Sequence, residues 1–153
     1  HRLCKIRFSP EETKKHKGIC PVCNRPLTVG VMSRVDELAD RPTGFKPKNA
    51  VPFKSLVPLE EIIGEAFGLG VAAKKVKEEY KNLIEKFGNE FAVLIDADLS
   101  QLKSAVLPEI FEGISRVREG KLKIEPGYDG EYGKVKIFDE KEREKLASQK
   151  SLF

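Results

Sequence analysis

The sequence predicts an α+β fold in which a small cysteine-containing module precedes a mainly helical module that ends in a C-terminal β-hairpin. Three observations support this prediction. All three cysteines lie within the first 23 of the 153 residues. Apolar residues in the middle of the chain recur at helical spacing, and two later segments alternate charged and apolar residues as half-buried strands do.

The cysteines and a histidine form two closely spaced pairs near the start of the chain. The pairs His1-x2-Cys4 and Cys20-x2-Cys23 are separated by fifteen residues. Four nitrogen and sulfur ligands in two such pairs are typical of a tetrahedral Zn²⁺ site, because each pair brackets one tight turn. His16 is an alternative fourth ligand, and burial of the cysteines as small apolar side chains is an alternative to metal binding. We predict a zinc-knuckle module over residues 1–40, with structural zinc held by His1, Cys4, Cys20 and Cys23.

Turn chemistry predicts the rest of this module and the segment that follows it. Asn24 follows the second pair at a position where a positive φ is usually required, and Asn tolerates that conformation. Residues 27–31 are predicted to form a short strand, and Ser33 to N-cap a short helix that extends toward Leu38. Residues 41–58 contain four prolines and four basic residues. Because proline blocks helices and central strands, we expect an extended basic strap there.

The module predicted over residues 59–138 begins with amphipathic helices. Pro58 suits the first turn of a helix, and apolar residues then occupy positions 59, 62, 63, 66 and 67, which form one helical face. After Gly68-Leu69-Gly70, a second amphipathic helix is predicted over residues 71–87. A third helix is predicted to begin at Pro108 and to end at Gly120.

The remaining elements of this module are shorter. The apolar run at residues 91–95 fits either a buried strand or a buried turn of helix, which periodicity does not distinguish. Residues 121–125 and 134–138 are predicted strands, and the loop at residues 126–133 joins them as a hairpin. Residues 139–153 are predicted to form a charged tail.

The net charge of +4 is unevenly distributed along the chain. Residues 1–57 contain 12 Lys and Arg against 5 Asp and Glu, whereas the remaining residues contain 16 against 19. This asymmetry fits a polyanion that binds mainly to the first part of the chain, or an ordinary solvated basic surface. An odd number of cysteines at metal-like spacing predicts a reducing, cytoplasmic location, and no apolar run has the length of a membrane span.

Two features are candidates for nucleic-acid contacts. The segment Gly68-Leu69-Gly70 between two helices is similar to a helix-hairpin-helix motif, in which glycines let the backbone approach a phosphate at a helix N-terminus. Lys74 and Lys75 lie near that N-terminus and add positive charge. The alternative is a plain αα-hairpin in which glycine only ends the first helix.

The second feature is a pair of tyrosines in the hairpin loop. Tyr128 and Tyr132 are candidates for stacking on DNA bases. The alternative is that these side chains fix the loop onto the body of the protein.

No catalytic motif is present in the sequence. It contains no nucleophile elbow, no P-loop and no paired metal-binding carboxylate motif. Asp96 and Asp98 follow an apolar run as metal ligands at a strand end do, but a capped turn is the better interpretation. We therefore expect this segment alone not to be an enzyme.

Several of these pieces, in this order, resemble endonuclease Q. The resemblance rests on the zinc-ligand pairs, on residues 80–91, and on residues 30–42 (GVMSRVDELADRP), 58–63 (PLEEII) and 124–133 (IEPGYDGEYG). It extends over essentially the whole chain. The first pair departs from the family pattern, which often has more cysteines there.

The resemblance implies a function in DNA repair. Endonuclease Q cleaves 5′ of deaminated bases such as uracil, hypoxanthine and xanthine, and of abasic sites. Its catalytic divalent metals lie in an N-terminal polymerase-and-histidinol-phosphatase-type domain, which this segment lacks. The expected partners are therefore double-stranded DNA with damaged bases and that catalytic domain. The basic residues expected to contact DNA are Arg34, Arg41, Lys46, Lys48 and Lys54.

Two further interpretations concern protein partners. A non-enzymatic zinc-ribbon adaptor that binds proteins is the alternative function, and it requires an exposed apolar patch. The tail residues Gln149, Leu152 and Phe153 are similar to the front of a sliding-clamp-binding motif, and a frayed terminus that packs back on the core is the alternative.

Overall fold

The computed structural model describes residues 1–139 and Glu142. Six α-helices and one two-stranded sheet make up its regular structure, together with a 3₁₀ turn at Arg2–Cys4 and a π-helical turn at Ala92–Asp96. The elements are α1 (Pro10–Lys15), α2 (Val31–Leu38), α3 (Leu59–Phe67), α4 (Lys74–Phe87), α5 (Leu99–Ala105), α6 (Pro108–Glu119), β1 (Lys123–Glu125) and β2 (Lys134–Lys136). The predicted α+β fold, with helices followed by a hairpin, is confirmed.

The chain divides into two compact units. The N-terminal unit comprises His1–Pro52 and the loop segment Glu125–Lys134. The helical unit comprises Phe53–Ile124 and the described residues from Val135 onward. The loop segment, which the sequence analysis placed with the helical module, therefore groups with the N-terminal unit, because its residues form their contacts there.

Two short helices form most of the regular structure of the N-terminal unit. Helix α1 begins with a capping box, in which the Ser9 hydroxyl accepts from the Glu12 amide and the Glu12 carboxylate accepts from the Ser9 amide. An ion pair between Lys14 and Asp36 joins α1 to α2. Helix α1 was not predicted from the sequence.

Two predictions in this unit are wrong. Residues 27–30 form no strand, and α2 begins at Val31 directly after them. Ser33 does not cap α2, because its amide already donates to the Gly30 carbonyl (3.1 Å) inside the first turn. Gly30 is the N-cap residue, and its extended backbone lets the helix start three residues earlier than a cap at Ser33 would.

The helical unit encloses the hydrophobic core. Helix α3 packs on both α4 and α6. The predicted stripe on α3 is buried, and Val76 and Leu83 of α4 with Ile110 and Ile114 of α6 complete the centre. Gly68 and Gly120, both at positive φ, end α3 and α6 as predicted.

The region between α4 and α6 contains the apolar run whose secondary structure could not be assigned from periodicity. The apolar run is a π-helical turn, whose carbonyls at Val93 and Leu94 accept from the Arg118 guanidinium at 2.8 and 3.0 Å. Asp98 accepts from the Ser100 amide (2.7 Å) as the N-cap of α5. The capped-turn interpretation of Asp98 is therefore confirmed, whereas α5 itself was not predicted.

Both predicted hairpin strands form, although each is shorter than expected. The residues after β2 are attached to α3, since the Glu65 carboxylate accepts from the amides of Ile137 and Phe138 at 3.1 Å. The candidate clamp-binding residues Gln149, Leu152 and Phe153 lie outside the described residues. Within the described part of the chain, no helix combines the length and apolarity that crossing a membrane requires.

Candidate functional site

Two backbone turns of similar construction present the cysteines and His1. The residue after each pair, Lys5 (φ 51°) and Asn24 (φ 55°), has a left-handed conformation. In the second turn the Asn24 amide donates to the Cys20 carbonyl, and the Cys20 amide donates to the Arg25 carbonyl, both at 2.9 Å. The positive φ expected of Asn24 is confirmed, and this conformation directs both side chains of a pair to the same side of its turn.

The ligand atoms of His1, Cys4, Cys20 and Cys23 all lie within 4.8 Å of one another. A tetrahedral site with Zn–S bonds of about 2.3 Å needs ligand atoms roughly 4 Å apart, so this cluster fits one metal ion. The Cys23 Sγ lies 3.4 Å from His1 Nδ1. His16, the alternative ligand, is not in the cluster, because its ring stacks on Phe8 with centroids 4.6 Å apart.

The thiols of the cluster have different proton affinities. Partial burial, with the neighbouring Cys23 and Cys20, raises the pKa of Cys4 to about 11. Burial also acts to raise the pKa of Cys20, but hydrogen bonds from the backbone amides of Cys23 and Val22 outweigh it and lower that pKa. Without metal, Cys4 holds its proton at neutral pH, and a bound metal must displace it.

The candidate DNA-contacting side chains of the N-terminal unit differ in how they are engaged. Arg34 pairs with Glu37 on the exposed face of α2 (2.9 Å). Arg41 lies beside Asp40 and over the Phe45 ring, 4.7 Å from its centroid. These guanidinium groups are thus partly occupied by neighbours within the unit.

The strap lysines are less engaged. Residues 41–55 are all exposed and contain only turns, one from Pro42 to Phe45 and one from Pro47 to Ala50. Lys46, Lys48 and Lys54 have no acidic partner among the described residues. Their ammonium groups are available to an external anion. Lys54 belongs to the helical unit, whereas the other two belong to the N-terminal unit.

The two glycines of the hairpin in the helical unit, Gly68 and Gly70, differ in backbone conformation and in surroundings. Gly68 is at φ 66° and ends α3, whereas Gly70 has no positive φ and no atom within 4 Å of the place where a Cβ would stand. The space over Gly70 is therefore open to a ligand. No side chain caps α4 and no acidic residue lies in its first turn, so its N-terminal dipole is not offset.

The lysines at the start of α4 are exposed. Lys74 is 3.7 Å from the Glu78 carboxylate, and Lys75 lies over the Phe67 ring at 4.6 Å from its centroid. The second helix begins at residue 74, later than predicted, because Gly70 to Ala73 forms a turn closed by a 2.9 Å hydrogen bond.

The two loop tyrosines have different environments. Tyr128 is half-buried and lies under the Arg7 guanidinium, 5.1 Å from its ring centroid. Tyr132 is 100% exposed. The structure therefore does not present the two tyrosines to a ligand in the same way.

An exposed apolar face on α2 was not singled out from the sequence. Val31, Met32, Val35 and Leu38 are all at least half exposed. Their spacing of one, four and seven residues is the signal that could have identified this face. The capping box of α1 likewise has a sequence signal, a Ser three residues before a Glu.

Comparison with known protein sequences gives matches to longer proteins. Residues 58–121 match a family model described as the MJ0043 C-terminal domain. The chain is 41% identical over 138 residues to the uncharacterised protein MJ0043 of Methanocaldococcus jannaschii, covering 90% of this chain and 17% of that protein. It is 32% identical over 118 residues to the uncharacterised protein YqxK of Bacillus subtilis, covering 76% of this chain and 27% of that protein.

Two solved structures are similar to the chain over 90% of its length, each at 34% identity. One is the lesion-specific endonuclease PfuEndoQ from Pyrococcus furiosus, with a TM-score of 0.74. The other is endonuclease Q in complex with a duplex substrate that has an abasic lesion at the active site, with a TM-score of 0.69. The chain spans 34% of each structure. The chain thus has an endonuclease Q-like fold.

Proposed function

We propose that this chain is the DNA-binding region of an endonuclease Q-type repair enzyme, which cleaves DNA 5′ of deaminated bases and abasic sites. The observation that carries this proposal is the similarity of the fold, over 90% of the chain, to a structure of endonuclease Q bound to an abasic duplex. Phosphodiester hydrolysis belongs to a separate N-terminal domain with its own divalent metals. The described residues outside the cysteine cluster contain no comparable group of metal-ligating side chains.

In this proposal the metal has a structural role. Zinc bound to His1, Cys4, Cys20 and Cys23 has four protein ligands and therefore no open position for a reacting water. When bound, the ion fixes the two turns against each other. The N-terminal unit then presents its basic side chains in a defined arrangement.

The strap and the hairpin supply phosphate contacts. Lys46, Lys48 and Lys54 are exposed and have no acidic partner among the described residues. At the hairpin the space over Gly70 is open, and α4 begins four residues later with uncapped amides, which favour an anion. Contacts of this kind hold DNA without reading its sequence.

Salt-dependent DNA binding tests the proposal. The chain should bind duplex DNA of any sequence, with an affinity that falls steeply with salt because each neutralised phosphate adds about 0.9 to the slope of log affinity against log salt. Changing Lys46, Lys48 and Lys54 together to Ala should flatten the slope by about 2 to 3. Titration of a fluorescent duplex at several salt concentrations measures this.

A charge-matched triple variant provides the control. Lys81, Lys103 and Lys121 are exposed lysines of the helical unit outside the strap and the hairpin, so changing them to Ala removes the same charge. This variant should keep nearly the wild-type slope. Equal slopes for both triple variants would mean that the strap is a connector and not a DNA-binding element.

The assignment of catalysis to another domain is tested separately. The 153-residue chain should not cleave duplexes containing uracil, hypoxanthine or an abasic site when supplied with Mg²⁺ or Mn²⁺. Cleavage that persists through purification and depends on residues of this chain would overturn the assignment.

The alternative function, a zinc-ribbon adaptor for protein partners, is favoured by one observation. The exposed apolar face of α2, formed by Val31, Met32, Val35 and Leu38, is the kind of patch that an adaptor requires. Changing Val35 and Leu38 to Lys tests whether this face takes part in DNA binding. DNA affinity should be retained or should rise slightly if DNA is the partner. If the wild-type chain shows no affinity for DNA at low salt, the adaptor function is favoured.

A further inference from the structure

The hairpin loop at residues 126–133 is compact and closed by its own backbone hydrogen bonds. Tyr128 and Glu131 exchange two backbone hydrogen bonds of 2.9 Å around Asp129 and Gly130. At the base of the loop the backbones approach so closely that a Cβ on Gly127 would lie 2.0 Å from the Glu131 carbonyl oxygen. This compact conformation therefore requires glycine at position 127.

Side chains from the first part of the N-terminal unit hold this loop in place. Arg7 lies over the Tyr128 ring and donates to the Pro126 carbonyl. The Thr28 hydroxyl donates to the Asp129 carboxylate (3.0 Å), and Arg2 donates to the Gly130 carbonyl (3.4 Å). The Tyr128 and Asp129 side chains and the Pro126 and Gly130 carbonyls are thus engaged by the first part of the unit, and no such contact is made by the Tyr132 side chain among the described residues.

Tyr132 is the exception. Its side chain is 100% exposed, beside a depression of about 370 Å³ that Tyr128, Gly130, Glu131 and Tyr132 line. A Tyr side chain offers a large contact area and loses little conformational entropy on binding, because it has two rotatable bonds. The hydrogen bonds that already constrain the loop lower the entropy cost of binding further.

The charges around the loop indicate what kind of group binds there. Arg2 and Arg7 form no ion pair with an acidic side chain of the described residues, and each donates to one loop carbonyl, so the remaining N–H groups of each guanidinium can contact a phosphate. The carboxylates of Asp129 and Glu131 lie on the loop itself and repel phosphate at its tip. This combination suits a nucleotide whose base lies on the aromatic ring while its backbone follows the arginines.

We propose that Tyr132 stacks on the unpaired DNA base that faces the lesion, and that Tyr128 is a positioning residue that fixes the loop. The inference rests on the proposed function, since it needs damaged DNA as the ligand. At an abasic site the opposite base has lost its pairing partner, so it can leave the duplex stack at lower cost than a paired base. Tyr132 thereby makes the chain prefer damaged over intact duplex.

The test compares binding to a duplex with one tetrahydrofuran abasic analogue and to the same duplex without it. The probe base opposite the analogue is 2-aminopurine, whose fluorescence reports stacking. The wild-type chain should prefer the abasic duplex and change the fluorescence. Tyr132→Ala should lower the affinity for the abasic duplex by about 5- to 150-fold, the range for loss of one base–aromatic stack, and abolish the fluorescence change. Tyr132→Phe should retain both.

Controls separate this inference from the proposed function. Phe91→Ala removes another exposed aromatic side chain, in the helical unit, and should leave the preference unchanged. Metal content should remain at the wild-type level in Tyr132→Ala, which excludes unfolding of the N-terminal unit. If the wild-type chain binds DNA but Tyr132→Ala keeps the wild-type preference, the inference is wrong and the proposed function stands. If the wild-type chain binds no DNA, both are wrong.

Discussion

The helical unit encloses seventeen buried apolar residues, whereas Cys20 is the single buried apolar residue among the described positions of the N-terminal unit. Both units have a defined backbone, and both contain helices. The N-terminal unit even exposes the apolar face of α2. Its residues therefore cannot be held together by burial of apolar area as those of the helical unit are.

This difference in burial indicates that the N-terminal unit needs a source of stability other than a hydrophobic core. Units of this size bury too little surface for hydrophobic stabilisation alone, and metals commonly provide the remainder. In the N-terminal unit, a metal bound to the cluster of His1, Cys4, Cys20 and Cys23 would supply the stability that a hydrophobic core supplies elsewhere. Stability in this unit should depend on metal, and stability in the helical unit should depend on packing.

The largest expected effect is removal of the metal. The freshly purified chain should contain about one equivalent of zinc, and chelation should unfold the N-terminal unit, because structural zinc contributes about 10–16 kcal/mol in small zinc domains. Hydrogen exchange measures the result: the amides of Cys20, Asn24 and Leu27 should lose protection while those of α3 and α6 keep theirs. Less than half an equivalent of zinc would contradict the assignment.

Single substitutions identify the ligands. Cys20→Ser should reproduce the effect of chelation, whereas His16→Ala should keep the metal because His16 stacks on Phe8 outside the cluster. Metal content by elemental analysis distinguishes the two variants. Loss of metal from His16→Ala alone would transfer the fourth ligand position to that residue.

Truncation of the core is the converse experiment. Leu83→Ala removes a fully buried side chain of α4 and should destabilise the helical unit by about 2–5 kcal/mol. The zinc content should not change. Denaturant unfolding followed by hydrogen exchange measures the two units separately. Ile124→Ala, at an exposed position of the same unit, is the control and should cost less than about 0.5 kcal/mol. Zinc loss in Leu83→Ala would mean that the two units are not independent.

A pair of glycine variants asks whether the helical unit also contacts phosphate. Gly68→Ala places a side chain at φ 66° and should cost about 1–2 kcal/mol of stability. Gly70→Val should cost less, because Gly70 is not at positive φ and its surroundings are open. In DNA titrations, by contrast, Gly70→Val should lose more affinity than Gly68→Ala, since the valine occupies the space that a phosphate would take. Parallel losses of stability and binding in Gly70→Val would show that this glycine serves the turn alone.

The smallest effect is a difference in acid sensitivity. Metal ligands bind protons in competition with zinc, so lowering the pH should release the metal and unfold the N-terminal unit first. In the helical unit, hydrogen bonds from the Ser100 side chain and amide lower the pKa of Asp98 below 3.8. The capping contribution of Asp98 is therefore complete above that value and is lost only as pH falls through the lower folded-state pKa.

Hydrogen exchange over a pH series tests this order. Between about pH 5 and pH 4, only the N-terminal unit should lose protection as the pH falls, and Asp98→Asn should lower the protection of α5 by a similar small amount throughout this range, because the carboxylate that it replaces is mainly ionised there. Simultaneous loss of protection in both units would contradict independent stabilisation.

Local spacing by itself determined much of this structure. The two ligand pairs, the apolar stripe of α3 and the helix ends at Gly68 and Gly120 all follow from residues within a few positions of one another. Backbone geometry converts such spacing directly into a turn or a helical face. These features were therefore predictable before any tertiary contact was known.

Tertiary structure decided what depends on residues far apart in the sequence. Stacking on Phe8 keeps His16 outside the cluster, although its spacing allowed it to be a ligand. Arg7 covers the Tyr128 ring and leaves Tyr132 exposed, a difference that could not be predicted from the sequence around the two tyrosines. Spacing encodes only what one turn of backbone brings together. The partners of a side chain more than a hundred residues away are fixed by how the chain folds back on itself, and only the folded structure contains that information.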